Sequence, residues 1–269
     1  MRGEEPGTAG GERGEKRPPR ARQRAGKILL IILALGTVAL AIGANSWKQD
    51  LPLAAIRVEG NALVTDGEIL RLAAVDPRAR LFMVDLAAVQ KRVRQNPFIR
   101  SVSVNRQGPE GISITVSERR PIALLAAEEL LAVDEEGTVL PVVRSDQMFD
   151  LPVLTGALPH GECVPGKKLT GRAVREALGA LAWAQRVDED LFRRISEIAL
   201  FGDGTLVLHT ADAGVPVILG QGAIQAKLVT FDGFWRGIVE RRGPQSLQQV
   251  DVRFEDQVIA RWNDGPTRQ

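Results

Sequence analysis

The longest hydrophobic stretch of the chain has no period at all. Positions 28–44 run from Ile28 to Ala44 without a charge, and ten of these 17 residues are Leu, Ile or Val. As a helix at 1.5 Å per residue the run spans about 26 Å, and adding Asn45, Ser46 and Trp47 brings it to about 30 Å, the thickness of a bilayer core. Ten such residues contribute on the order of 3–6 kcal/mol to insertion. Residues 28–47 are therefore expected to form one transmembrane helix, with Trp47 as an interfacial anchor. Ala39-Leu40-Ala41 has the A-x-A form of a cleavage site, so a removed signal peptide is the second reading.

Past a short linker, residues 48–53, the pattern becomes periodic. Ala55-Ile56-Arg57-Val58-Glu59 alternates like a strand and stops at Gly60-Asn61, a turn signal. Thr65-Asp66-Gly67-Glu68 has the form of a capping box and opens a helix through Ile69, Leu70, Leu72 and Ala73. Asp85 is placed to cap a second helix whose Leu86, Val89 and Val93 share a face, and Asn96-Pro97 stops it. Phe98 to Arg106 and Ile112 to Val116 alternate with period two on either side of a turn at 108–111. The order strand, helix, helix, strand, strand over residues 54–121 predicts a small α+β domain.

Residues 122–262 predict a second, strand-rich domain with two packing helices. A hairpin is expected at Leu131 to Leu140 around Asp134-Glu135-Glu136-Gly137, and an extended piece at Leu151 to Gly156. Thr170 is placed to cap a helix to about Arg186, with Val174, Leu178 and Leu181 inward. Ile198 to Phe201 and Thr205 to Thr210 form a second hairpin, Val215 to Leu219 a further strand, and Ala223 to Val239 a helix burying Ile224, Leu228, Phe231 and Trp235. Val250 to Phe254 and Gln257 to Trp262 predict a final hairpin across Glu255-Asp256. No internal repeat is visible.

Charge gives this layout a direction. Residues 1–27 carry Arg2, Arg13, Lys16, Arg17, Arg20, Arg22, Arg24 and Lys27 against four Glu, so the remainder of a chain of net charge +2 is slightly acidic. Basic residues before the apolar run, with only Lys48 close after it, place the N-terminus in the cytoplasm and the bulk outside. The Gly-, Pro- and Arg-rich tail 1–27 and the end 263–269 are expected to be disordered.

Composition removes most chemistry. With Cys163 alone there is no intramolecular disulfide, CxxC pair or multi-cysteine zinc site. The histidines are His160 and His209, and neither G-x-S-x-G nor S-x-x-K accompanies them. Asp134, Glu135 and Glu136 read as a solvated turn, Asp188-Glu189-Asp190 as a polar helix end, and Glu118-Arg119-Arg120-Pro121 as the join between two domains. The chain is read as a non-enzyme with no cofactor and no metal.

Taken in order, certain segments resemble the bacterial FtsQ/DivIB cell-division family. They are Ile56 to Asn61, Leu81 to Leu86, Asn96 to Val104, Val116 to Ala123, Val133 to Gly137, Leu151 to Gly156 and Val250 to Phe254. The resemblance covers the chain from the apolar run to Trp262. It implies a POTRA-like βααββ domain followed by the family's β domain, and a septal scaffold in the inner membrane that binds FtsB and FtsL. It also implies that the last strands pair edge-on with a partner, here through Val250, Val252, Arg253, Phe254, Glu255, Val258, Ala260 and Trp262. A second surface on the POTRA-like unit is expected near Gly60, Asn61 and Glu68. The family commonly carries a Tyr where Phe254 stands and a Gly in the turn that follows. The alternative function is a POTRA-bearing envelope protein handling secreted or outer-membrane substrates, for which tandem POTRA units or a barrel would be expected.

Overall fold

A computed structural model of the chain describes residues 30–40, 43, 51–108, 111–142, 150–159, 161–255 and 257–263. Residues 30–40 are helical, with Leu30, Ile31, Ile32, Leu33, Leu35, Val38 and Leu40 exposed. Among the described residues no helix is long and apolar enough to cross a membrane. The rest of the expected 28–47 span, both expected tails beyond Asn263 and before position 28, and His160 lie outside the described residues.

The first domain has the expected element order. Strand β1 (Ala55–Glu59) is followed by helices α1 (Asp66–Ala73) and α2 (Leu86–Val93), then strands β2 (Ile99–Gln107) and β3 (Gly111–Glu118). The sheet order is β1-β3-β2, with β1 parallel to β3 and β2 antiparallel to it. The two helices lie between the parallel partners, as a crossover requires. Ile69, Ala73, Val89 and Val93 pack with Ile112, Ile114 and Val116 into one apolar cluster. Thr65 caps α1 by accepting from the Glu68 N–H at 3.3 Å, and Asp85 caps α2 by accepting from the Ala88 N–H at 3.0 Å. The reciprocal half of the capping box is replaced: the Glu68 carboxylate accepts from Asn96 Nδ2 at 2.8 Å and so ties α1 to the end of α2.

The second domain is one nine-stranded sheet among the described residues. Its strands are β4 (Pro121–Ala126), β5 (Leu130–Asp134), β6 (Val139–Pro141), β7 (Val153–Gly156), β8 (Ile195–Leu200), β9 (Leu206–Thr210), β10 (Pro216–Gly220), β11 (Leu247–Asp251) and β12 (Ile259–Trp262), ordered β12-β11-β10-β9-β8-β7-β4-β5-β6. Two of its three parallel pairs, β7 with β8 and β10 with β11, are joined by helical crossovers. Helices α3 (Arg172–Val187) and α4 (Glu189–Arg194) lie between β7 and β8, and α5 (Ile224–Phe234), continued by a π turn at Trp235–Val239, lies between β10 and β11. Val174, Leu178 and Leu181 of α3 and Leu228, Phe231 and Trp235 share one core with the sheet.

Several expectations are corrected. Strand β4 is not among the expected elements; only Pro121, its first residue, belongs to the expected join. Its sequence does not alternate because both faces are covered: Ile122 and Leu125 join the core under the helices, while Leu124 packs against the core of the first domain. Thr170 does not cap α3; its N–H and hydroxyl both bond the Glu162 carboxylate, at 2.6 and 2.7 Å, and Gly171 precedes the helix without a side-chain cap. The acidic turn at the end of β5 is solvated only in part: Glu135 is exposed, but Asp134 is 3% exposed and receives Arg119 from the end of the first domain at 2.6 Å, while Arg119 also reaches Glu136 at 2.8 Å and Arg100 pairs with Glu136. With Ala132 and Leu140 buried in the first domain's cluster, this contact joins the two domains.

Candidate partner-binding edge

The larger sheet ends differently on its two sides. At the β6 end a loop covers the edge: Val139 N–H donates to Lys167 O and Gly166 N–H to Val139 O, both at 2.8 Å. At the other end β12 pairs with β11 through Leu247↔Trp262, Gln249↔Arg261, Val250↔Ala260 and Asp251↔Ile259. Among the described residues no strand pairs with the outer side of β12. Alternate residues of such a strand point their N–H and C=O groups outward, which makes it a template for an added strand.

The final hairpin is shorter than expected. β11 begins at Leu247 and stops at Asp251, so Phe254 is not in a strand and the connection to β12 is longer than a tight turn. The cause is local. The Asp251 carboxylate accepts from the Arg253 N–H at 3.1 Å and from the Arg253 guanidinium at 2.6 and 3.0 Å, which bends the chain out of the ladder in the manner of an Asx turn. Asp251 is 6% exposed, and the guanidinium holds its carboxyl below the usual carboxylate range. The Arg253 guanidinium also stands 5.8 Å from the Phe254 ring, which is 48% exposed, and Glu255 beside it is exposed.

The residues expected to grip a partner separate into two sets. Val250 and Val252 are fully buried, and Val258, Ala260 and Trp262 lean against the same core. Trp262 is further held by Arg242, whose guanidinium lies 4.1 Å from its ring centroid. The opposite face of β12 carries Ile259, 51% exposed, and Arg261, also exposed; neither was singled out from the sequence. The period of two along Val258 to Trp262 is the signal that points to them, because neighbours of core-facing residues must face away.

On the first domain, Gly60 and Asn61 lie in the loop before α1 and Glu68 lies in the first turn of that helix, and the loop's polar groups serve one another. Asn61 Nδ2 donates to Val64 O at 2.9 Å and to Asp66 at 2.7 Å, and the Glu118 carboxylate accepts from the N–H groups of Ala62, Leu63 and Val64 at 2.7–2.9 Å. The candidates for chemistry are dispersed. His209 Nδ1 is 4.0 Å from Glu197 on a strand face, and burial followed by the Glu162 carboxylate pushes the Cys163 thiol up, away from the reactive thiolate. Among the described residues no group of His, Cys, Asp and Glu is arranged to hold a metal.

The sequence profile for a POTRA domain of FtsQ type matches residues 51–119, and the profile for the FtsQ/DivIB C-terminal region matches residues 123–253. A relative from Rhodothermus marinus, named cell division protein FtsQ, is 30% identical over 263 residues, covering 94% of both chains. The chain belongs to the FtsQ/DivIB family of cell-division proteins. Relatives of the same name from a Geobacter species and an Anaeromyxobacter species are 30% and 35% identical, over 91% and 81% of this chain and 93% and 74% of their own. The family's C-terminal profile stops at Arg253, the residue that turns the chain away from β11, so β12 lies just past the part it matches.

Proposed function

We propose that this division protein is a non-enzymatic scaffold that binds FtsB and FtsL outside the cytoplasm by accepting a partner strand on β12. The observation that carries the reading is the inequality of the sheet's two ends: β6 is covered by the chain's own loop, and among the described residues no strand pairs with the outer side of β12. In this reading residues 28–47 anchor the chain in the inner membrane at the septum, residues 1–27 stay in the cytoplasm, and the POTRA and β domains stand in the periplasm. The contact is made by outward backbone groups of β12, with Ile259 and Arg261 on one side of the added strand and Trp262 and Ala260 on the other. Phe254, Arg253 and Glu255 form the rim.

The test is recovery of FtsB and FtsL from solubilised membranes. Ile259→Glu places a charge on the exposed face without touching the core, and Ala260→Pro removes a backbone donor from the strand. Recovery is expected to drop at least tenfold for both while circular dichroism stays that of the parent. Undiminished recovery in a folded Ile259→Glu protein would exclude the β12 edge.

A further inference from the structure

The path by which the chain enters the POTRA domain carries a surface that the strand edge does not explain. Residues 51–53 are pinned against the loop before α2: Leu81 N–H donates to Leu51 O at 2.9 Å, Leu53 N–H to Ala79 O at 3.1 Å, and Pro52 bridges Arg80. The next residues form the 3-10 turn Leu81–Met83. Leu81 is 1% exposed and anchors the turn in the core, whereas Phe82 and Met83 are 42% and 67% exposed. Arg106 of β2 lies over the Phe82 ring at 5.2 Å and donates to Val84 O at 3.2 Å, which fixes a guanidinium at the turn. Arg78 and Arg80, both exposed, immediately precede it.

This turn cannot lie far from the end of the expected span. Four residue steps separate Trp47, the last residue of that span, from Leu51, and a fully extended chain covers at most about 14 Å in four steps. An exposed aromatic and an exposed thioether flanked by guanidinium groups suit the boundary between acyl chains and phosphates, where apolar side chains enter and Arg binds phosphate oxygens.

We infer that Phe82 and Met83 are a membrane-contacting foot: they enter the interfacial layer of an anionic lipid surface, and Arg78 and Arg106 take its phosphates. The foot gives the POTRA domain a fixed standing on the bilayer instead of a free tether. The inference rests on the proposed anchoring of residues 28–47, and the experiment separates the two.

Full-length protein carrying Cys163→Ser is reconstituted in vesicles of phosphatidylcholine alone or mixed with phosphatidylglycerol. A nitroxide is attached at Val38→Cys, Met83→Cys or Leu130→Cys, and collisions with oxygen and with a water-soluble nickel chelate are measured. The Val38 site is expected to be oxygen-accessible and chelate-protected in both vesicles. The Met83 site is expected to show several-fold lower chelate accessibility than Leu130 in the anionic vesicles, and Arg78→Gln is expected to weaken that protection. A chelate-accessible Met83 site beside a protected Val38 site overturns the foot and leaves the anchor intact. A chelate-accessible Val38 site overturns both. Protection at Met83 that depends on the ratio of protein to lipid assigns the surface to a protein contact and overturns the lipid assignment.

Discussion

Arg119, the residue that leaves the POTRA domain, donates to Asp134 of the β domain at 2.6 Å, with side chains only 16% and 5% exposed. The second oxygen of Asp134 accepts from the N–H groups of Thr138 at 2.7 Å and Glu136 at 3.0 Å. Asp134→Ala therefore removes one of the two carboxylates that hold the Arg119 guanidinium and leaves two backbone donors without their acceptor. A loss of about 3–5 kcal/mol is expected, the scale for removing one partner of a buried ion pair. A urea titration followed by tryptophan fluorescence checks it, and Asp134→Asn, which keeps an acceptor, is expected to lose less.

Acid should loosen the same joint. The Arg119 hydrogen bond is the leading cause that holds the Glu136 carboxyl below its ordinary value. A group depressed in the folded state contributes stability that is complete above its unfolded value, near pH 4.3, and is lost as pH falls from there through the folded value. Because the Glu136 side chain is 34% exposed, solvent screening keeps its share to about 1 kcal/mol or less. Parent and Glu136→Gln stabilities, measured by urea midpoints from neutral pH downward, are expected to differ at neutral pH and to converge in acid.

Gly60 shows why the first turn needs glycine. Its φ is +87°, and a Cβ there would stand 2.2 Å from Val116 O, a backbone atom of the central strand β3. Gly60→Ala is expected to cost about 1–3 kcal/mol from the left-handed backbone alone, with the clash adding to it. A drop of several degrees in Tm by calorimetry is the readout. Gly156, at φ +85° with Leu200 O at the same 2.2 Å, is expected to behave alike in the β domain.

Stability and binding should separate along β12. Trp262 lies against the core and under Arg242, so Trp262→Ala is expected to lose about 2 kcal/mol of stability, and its effect on partner recovery mixes folding with contact. Ile259 projects from the other face, and substituting it is expected to shift stability by no more than about 0.5 kcal/mol. Chemical denaturation of both variants beside the partner assay draws this distinction.

At the helix starts, the local pattern holds where no contact from beyond one turn competes for the capping residue. Thr65 and Asp85 cap their helices as the local pattern implies, because a cap needs only residues within one turn. Thr170 fails at the same task because Glu162, eight residues earlier, takes both its N–H and its hydroxyl. At the candidate edge the existence and position of a last strand were legible from Val258 to Trp262. Its orientation was not, because alternation shows that two faces differ without saying which of them meets the helices.

By itself the sequence determined the order of elements in the POTRA domain, the final hairpin and the family. The first two follow from local periodicity, caps and turns, whose partners are a few residues away, and the family follows from the resemblance of several segments taken in order. Only the tertiary structure decided that β12 is the open end of a nine-stranded sheet, that Ile259 rather than Val250 faces outward, and that Asp134 is sealed under Arg119. Each of these depends on which segments lie side by side after folding. Burial and pairing across a sheet are set by the sum of many weak contacts between distant residues, and no local pattern encodes that sum.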